Sequence, residues 1–231
     1  VCELGLADQL VGRTGFCVHP KEALKAVPKV GGTKSVNMKK IRALEPTHVI
    51  VNVDENRKET ADALAGFVPN VIVTHPLAPE DNFALYRQIG GTFGKVNAAE
   101  ALCRKFDSAL QQVRKRKFES RPVLYLIWKD PWMTVSRDTY VSRMLALVGL
   151  QTLPAAADAR YPKLKDLNLE GVEQVLLSSE PYRFGERHRD ELQRRLRLPV
   201  RLIDGEMTSW YGPRAIAGLR YLADFSARLA S

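Results

Sequence analysis

An α/β fold of two lobes is predicted by three features of the chain. Two stretches read as copies of one unit: Met38–Pro46 running into Val49–Val51, and Leu164–Gly171 running into Val175–Leu177. In each, a short apolar-periodic helix is stopped by Pro or Gly and feeds a continuously apolar strand. A polar loop follows, Asn52–Asn56 in the first copy and Ser178–Phe184 in the second. Short strands alternate with helical stretches on both sides of the midpoint, the pattern of parallel sheets covered on both faces. Between the two series, Val96–Phe118 contains no Gly or Pro. If the two polar loops face each other, the cleft between lobes is the natural place for a ligand.

Taken in order, Val1–Leu10 reads as part of a helix, with no basic region, apolar core or cleavage site before it. Cys2 has no lipobox beside it and sits among helix-forming residues. Strands are expected at Leu10–Val11, Val49–Val51 and Val71–Val73, alternating with helices near 37–44 and 57–66. Gly90–Gly94 is glycine-rich, but it follows a helix and no Lys-Ser/Thr comes after it, so it is no phosphate loop. It reads as a helix stop and a hinge.

The next helix opens with Asn97 and Glu100 at capping-box spacing. Leu102, Phe106, Ala109 and Val113 then draw one apolar stripe along it. At 1.5 Å per residue it would run roughly 35 Å, a long rigid backbone helix joining the lobes. Beyond it, strands are expected at Pro122–Trp128, Val175–Leu177 and Val200–Ile203, with helices near 138–148, 186–196 and 213–229. Pro213 suits a first helical turn. The expected boundaries are an N-terminal lobe over 1–94, a connecting helix over 95–118 and a C-terminal lobe over 119–231.

Composition narrows the function. With 231 residues, 45% hydrophobic and 26% charged, the chain can bury a core in each lobe. No apolar run approaches the roughly 20 residues that span a bilayer. Cys2, Cys17 and Cys103 cannot all pair and lack zinc-site spacing. The net charge of +9 favours contact with something anionic. That charge is concentrated in Arg114–Lys117, expected at a helix C-terminus where the dipole favours cations, and in Arg187–Arg201. No recognition helix or RNA module accompanies the charge, so nucleic acid is not expected as a partner. His19, His48, His75 and His188 form no HExxH pattern and no Ser shows a nucleophile elbow, so no enzyme is expected.

The segments Val11–Pro20, Val27–Gly32, Glu45–Val51, Val141–Leu150 and Trp210–Tyr211 together resemble the class III substrate-binding proteins of ABC importers. These are also called helical backbone metal receptors and include cobalamin-binding and ferric-siderophore-binding proteins. No single segment is specific; their order and spacing over nearly the whole chain carry the resemblance. It implies two α/β lobes, a rigid connecting helix and a chelate held between lobes with modest closure. It also implies a strand before the first helix, which this sequence begins after.

Candidate ligand contacts follow from the loops and the resemblance together. Phe16 and His19 stand in the first motif, where cobalamin-binding members carry an aromatic residue at the position of His19; a histidine offers a flat ring or a ring nitrogen. Asn52 and Asp54 lie in the loop after the Val49–Val51 strand. Trp128 and Trp132 flank Lys129, offering indoles to a planar corrin, haem or catecholate and a cation to an acidic group. Tyr182, Arg183 and Phe184 occupy the matching loop of the second lobe. Trp210 and Tyr211 fall in the C-terminal cleft loop.

In the family one exposed Glu on each lobe docks on the permease; here the candidates are Glu55, Glu59 and Glu206. The resemblance therefore implies a monomeric, periplasmic binding protein that captures a metal chelate (cobalamin, ferric siderophore or haem) and presents it to an ABC permease, with no cofactor or bound structural metal. A divalent-metal binder or a cytoplasmic chelate-binding or chelatase-like enzyme is the alternative, the cytoplasm applying if the full-length product lacks a signal peptide.

Overall fold

The computed structural model describes residues 1–155, 158–164 and 169–230. They form two compact units, one of Val1–His75 with Arg87–Ala99, the other of Pro76–Tyr86 with Glu100–Ser231. The chain passes between them after His75 and again inside two helices, between Tyr86 and Arg87 and between Ala99 and Glu100.

In the first unit the predicted N-terminal helix is replaced by two 3-10 turns, Cys2–Leu4 and Ala7–Gln9. Gly5, at φ 70°, ends the first by donating its N–H to the Cys2 carbonyl, a left-handed conformation that no continuing helix allows. The turns still bury Leu4 and Leu6. The predicted strand at Leu10–Val11 does not form either. Ladder bonding begins instead at Arg13, which pairs with Lys29 in a single parallel bridge, and Val11 is left exposed. The short helix α1 (Lys21–Leu24) follows.

Helix α2 (Met38–Ala43) starts where Asn37 accepts the Lys40 N–H on its side chain at 3.0 Å, an N-cap worth about 1 kcal/mol. It leads to β1 (His48–Asn52), α3 (Lys58–Ala65) and β2 (Asn70–Thr74). The strands pair in parallel, Val49 beside Val71 and Val51 beside Val73. Val30, Ile41, Val51, Leu64 and Val68 form the core of this unit.

Helices α4 (Asp81–Thr92) and α5 (Val96–Arg114) each contribute residues to both units. Gly90 and Gly91 lie inside α4, and the helix stops within the predicted glycine-rich segment, after Thr92, with Gly94 at φ 64°. Gly90 serves a close approach: a Cβ there would lie 2.4 Å from the Ala99 Cβ. The predicted stripe on α5 is buried at Leu102, Phe106, Ala109 and Val113. The helix ends at Arg114, four residues short of the predicted Phe118.

The second unit comprises β3 (Arg121–Trp128), β4 (Met133–Thr134), α6 (Tyr140–Ala146), β5 (Leu150–Thr152), β6 (Gln174–Ser178), α7 (Glu186–Leu196), β7 (Val200–Ile203), α8 (Gly205–Ser209) and α9 (Arg214–Ala230). The helix predicted in the second repeat lies largely outside the described residues. Strand β6 is parallel to β3 on one side and to β7 on the other. The opposite edge of β3 is shared: β5 pairs in parallel with its first residues and β4 antiparallel with its last. Val175, Leu176 and Leu177 are fully buried, which is why β6 reads as an unbroken apolar run. At about 1.5–3 kcal/mol per buried aliphatic side chain, this strand anchors the sheet. Tyr125 keeps its hydroxyl satisfied there, donating to Ser178 Oγ at 2.9 Å and lying 2.7 Å from Thr208 Oγ1; burial pushes it up to about 12.

Candidate functional site

At the carboxyl ends of β3 and β6, in the second unit, two loops are drawn together. The Tyr182 N–H donates to the Ile127 carbonyl at 3.2 Å, setting the loop after β6 against the end of β3. Trp128 meets Tyr182 edge-on, with centroids 5.6 Å apart. Tyr182 packs on Phe184 at 4.6 Å, and Phe184 stacks on Trp132 at 6.1 Å with planes 5° from parallel. Four of the aromatic residues singled out in the sequence thus form one cluster, which holds together by burial and edge-to-face geometry.

Within it the four rings differ in exposure. Phe184 is buried and belongs to the core beneath the loop. Trp132 and Tyr182 are half-buried against that core. Trp128 is 40% exposed and offers the cluster's free indole surface. Lys129 lies 5.8 Å from the Trp132 ring centroid and 3.7 Å from Glu191 on α7. Arg183, between Tyr182 and Phe184, is an exposed side chain.

His188, which the sequence reading passed over, closes the cluster. Its ring meets Tyr182 and Phe184 at 5.6 and 5.4 Å. Its Nδ1 accepts the Gly185 N–H at 3.1 Å, and its Nε2 lies 3.3 Å from the Tyr182 hydroxyl. The legible signal was positional: His188 stands three residues into a helix that begins at Gly185, where a side chain can reach back to the cap.

Trp210 and Tyr211 sit in a second cluster of the same unit. Helix α8 starts hard against the end of β6, since a Cβ on Gly205 would lie 2.6 Å from Ser178 Oγ. The Trp210 indole N–H donates to Glu180 Oε2 at 2.8 Å, and Arg214 lies 5.6 Å over its ring while pairing with Glu206. Burial raises the Glu180 carboxyl above its ordinary value; the Trp210 N–H opposes this, and the charges of Glu206 and Asp204 add to it. Tyr211 packs edge-on against Tyr140 at 6.1 Å. The loop is pinned from the other side by Asn82, which accepts the Gly212 N–H at 2.6 Å and donates to the Tyr140 hydroxyl at 2.9 Å. Tyr86 donates to the Gly212 carbonyl at 2.8 Å. Glu180, Arg214 and Asn82 carried no local sequence signal, because each acts on a residue far away in the chain.

The candidates of the first unit are placed differently. Asn52 is 8% exposed and its amide is committed to the loop: Nδ2 donates to the Thr74 carbonyl at 3.0 Å, and Oδ1 accepts from Asp54 and Glu55 N–H at 2.9 and 3.2 Å. It is the loop's anchor. Asp54 pairs with His75 at 3.6 Å, and its carbonyl accepts from Lys34 Nζ at 2.6 Å. Phe16 is 63% exposed and His19 is half-buried. Glu55 and Glu59 are exposed, whereas Glu206 in the second unit is spent on Arg214. Among the described residues no three His, Cys, Asp or Glu side chains cluster as metal ligands, and no helix is long and apolar enough to cross a membrane.

Residues 1–173 match the family model described as periplasmic binding protein. A vitamin B12-binding protein of Pectobacterium carotovorum is 20% identical over 218 residues, covering 92% of this chain and 78% of its own. Among solved structures, the periplasmic vitamin B12-binding protein of Vibrio cholerae superposes with a TM-score of 0.83 at 15% identity, covering 100% of this chain and 92% of its own. The periplasmic heme-binding protein of Roseiflexus sp. RS-1 gives 0.79 at 22%, covering 98% and 91%.

Proposed function

The chain belongs to the periplasmic binding protein family, and from that premise we propose that it captures a metal chelate of the cobalamin or haem kind and hands it to an importer. The observation that carries this reading is the cluster of Trp128, Tyr182, Phe184 and Trp132 at the carboxyl ends of β3 and β6, where ligands of parallel α/β sheets bind. Exposed Trp128 supplies the stacking face for a flat macrocycle, and the buried rings beneath hold it in place. Lys129, beside the Trp132 ring of the same cluster, supplies a cation and selects for acidic substituents. Trp210, oriented by Glu180 and Arg214, is a second aromatic contact, and exposed Phe16 is the aromatic candidate of the first unit.

Relatives of both ligand kinds share the fold: B12-binding proteins in Pectobacterium and Vibrio, and heme-binding proteins in Roseiflexus and Vibrio. The reading is of a carrier and not a catalyst, acting outside the cytoplasm beside a permease, with Glu55 and Glu59 the exposed acidic candidates for docking.

The test is tryptophan fluorescence titrated separately with cyanocobalamin, haem and a ferric catecholate, with calorimetry to correct for ligand absorbance. Saturable one-to-one binding of one of them, weakened at least tenfold by Trp128→Ala, is the expected outcome. Failure of all three with folded protein rejects the chelate reading.

A further inference from the structure

Far from the aromatic cluster, the opposite edge of the same sheet gathers positive charge. Helices α5, α6 and α7 end at 114, 146 and 196, each a few residues before the strands that begin at 121, 150 and 200. The last turns of α9 reach the same edge: Arg121 donates to the Leu229 carbonyl at 3.0 Å, and Ser226 donates to the Val148 carbonyl at 2.7 Å. Four helices thus deliver their carboxyl ends to the edge where β3, β5 and β7 start.

These ends place both basic runs of the sequence on the side where the strands start, Arg114–Lys117 at the end of α5 and Arg194, Arg195 and Arg197 at the end of α7, all exposed. Arg121 and Arg201 add to them from the strands themselves. Helix dipoles account for a cation or two at each helix end; they do not account for arginines on β3 and β7. Among the described residues, Glu119, Glu173 and Asp224 are acidic groups beside these strand starts, and Asp224 is taken by Arg116 at 3.4 Å.

Two adjoining cavities open among these side chains. One, of about 260 Å³, is lined by Arg116, Lys117 and Arg121, with one carboxylate, Glu119, and by Phe118 and Leu150 among others. The other, of about 370 Å³, is lined by Arg201, Leu202, Tyr221, Phe225 and Arg228. Leu229 lines both. Each sets guanidinium groups beside aromatic and aliphatic carbon.

We propose that this edge is a docking surface for the phosphodiester headgroups of anionic phospholipids at a bilayer surface. Guanidinium forks match phosphate oxygens, and a basic patch draws a protein to an anionic leaflet. A soluble polyanion would use the charges but gain nothing from half-buried Phe118, Tyr221 and Leu229; a lipid uses both, its phosphate on the arginines and its glycerol carbons on these apolar edges. The inference is independent of which chelate is carried.

The test is co-sedimentation of the whole chain with phosphatidylglycerol–phosphatidylcholine vesicles and with pure phosphatidylcholine vesicles. Binding to the first and not the second is expected, and Lys117→Ser with Arg201→Ser should weaken it roughly 30-fold, about fivefold for each charge. Lys21→Ser with Lys25→Ser removes the same charge from α1 and its flank and should change it less than about threefold. Equal loss in both double variants would reduce the effect to net charge and overturn the proposal. So would an absence of binding to anionic vesicles, or displacement from them by inorganic phosphate at constant ionic strength, which would make the cavities a site for the free anion.

Discussion

Trp132 and Phe184 lie with their ring planes 5° from parallel and their centroids 6.1 Å apart, one from the loop after β3 and the other from the loop after β6. This pair couples the two loops to the core, because Phe184 packs with Leu124, Leu126 and Leu177. Trp128 stands on the same cluster through Tyr182 but keeps 40% of its surface exposed. Two tryptophans four residues apart therefore have separable roles.

Trp132→Ala should lower unfolding stability by about 2 kcal/mol, the low end for losing a large aromatic side chain from a partly buried site. Trp128→Ala should cost less than about 1 kcal/mol, while weakening chelate binding at least tenfold. Urea unfolding and ligand titration on both variants measure this. The division of roles fails if Trp128→Ala proves the more destabilising or leaves affinity untouched.

The contrast shows what the chain could and could not reveal. The grouping of Trp128, Lys129, Trp132, Tyr182 and Phe184 was legible because aromatic loops after neighbouring apolar strands meet at one end of a parallel sheet, and both strands read clearly as largely apolar runs. Which indole is buried was not legible, since that depends on Phe184 crossing from another loop. Asn52 is ambiguous for a related reason: an Asn after a strand reads equally as a ligand contact or as a turn anchor, and the bond to Thr74 on the neighbouring strand, which gives it the anchoring role, is not visible in the local sequence. At the N-terminus, helix-forming residues outvoted Gly5, whose left-handed φ stops the helix after one turn.

Lys129 is expected to discriminate ligands by charge. Held 3.7 Å from Glu191 and near the Trp132 ring, it is partly neutralised in the free protein, so its attraction for an acidic chelate is moderate. Lys129→Gln should weaken haem or ferric-catecholate binding about fivefold to tenfold and change cyanocobalamin binding less than twofold. Calorimetry at low and high salt reads this out. A salt-independent loss for all three ligands would mean that the side chain acts through packing alone.

Glu180 makes stability depend on pH. Burial is the leading cause that raises its carboxyl above the ordinary value of 4.5, with Glu206 and Asp204 adding and the Trp210 N–H and Arg214 opposing. A folded-state value above the unfolded one means that its contribution is complete below the unfolded value and is lost as pH rises through the folded value. Glu180→Gln keeps an acceptor for the Trp210 indole and removes the charge. Its melting temperature should match the parent near about pH 4 and exceed it near about pH 7. The reverse order at neutral pH would show that attraction to Arg214 outweighs desolvation.

Gly205 tests whether the Trp210 contact depends on how closely α8 meets β6. A Cβ there would sit 2.6 Å from Ser178 Oγ and 2.7 Å from the Glu180 backbone nitrogen, and neither atom can move freely, since Ser178 Oγ accepts from buried Tyr125. Gly205→Ala should therefore cost about 1–3 kcal/mol as an overpacked contact. Gly185→Ala, with nothing within 4 Å of the added carbon, should cost no more than about 1 kcal/mol, the loss from replacing an N-cap Gly by Ala. Displacing Glu180 also loosens the acceptor that orients the Trp210 indole, so Gly205→Ala should shift tryptophan emission and weaken chelate binding, whereas Gly185→Ala should do neither. If Gly205→Ala is as stable as Gly185→Ala, α8 is free to move away from the end of β6, and the orientation of Trp210 by Glu180 is not enforced by packing.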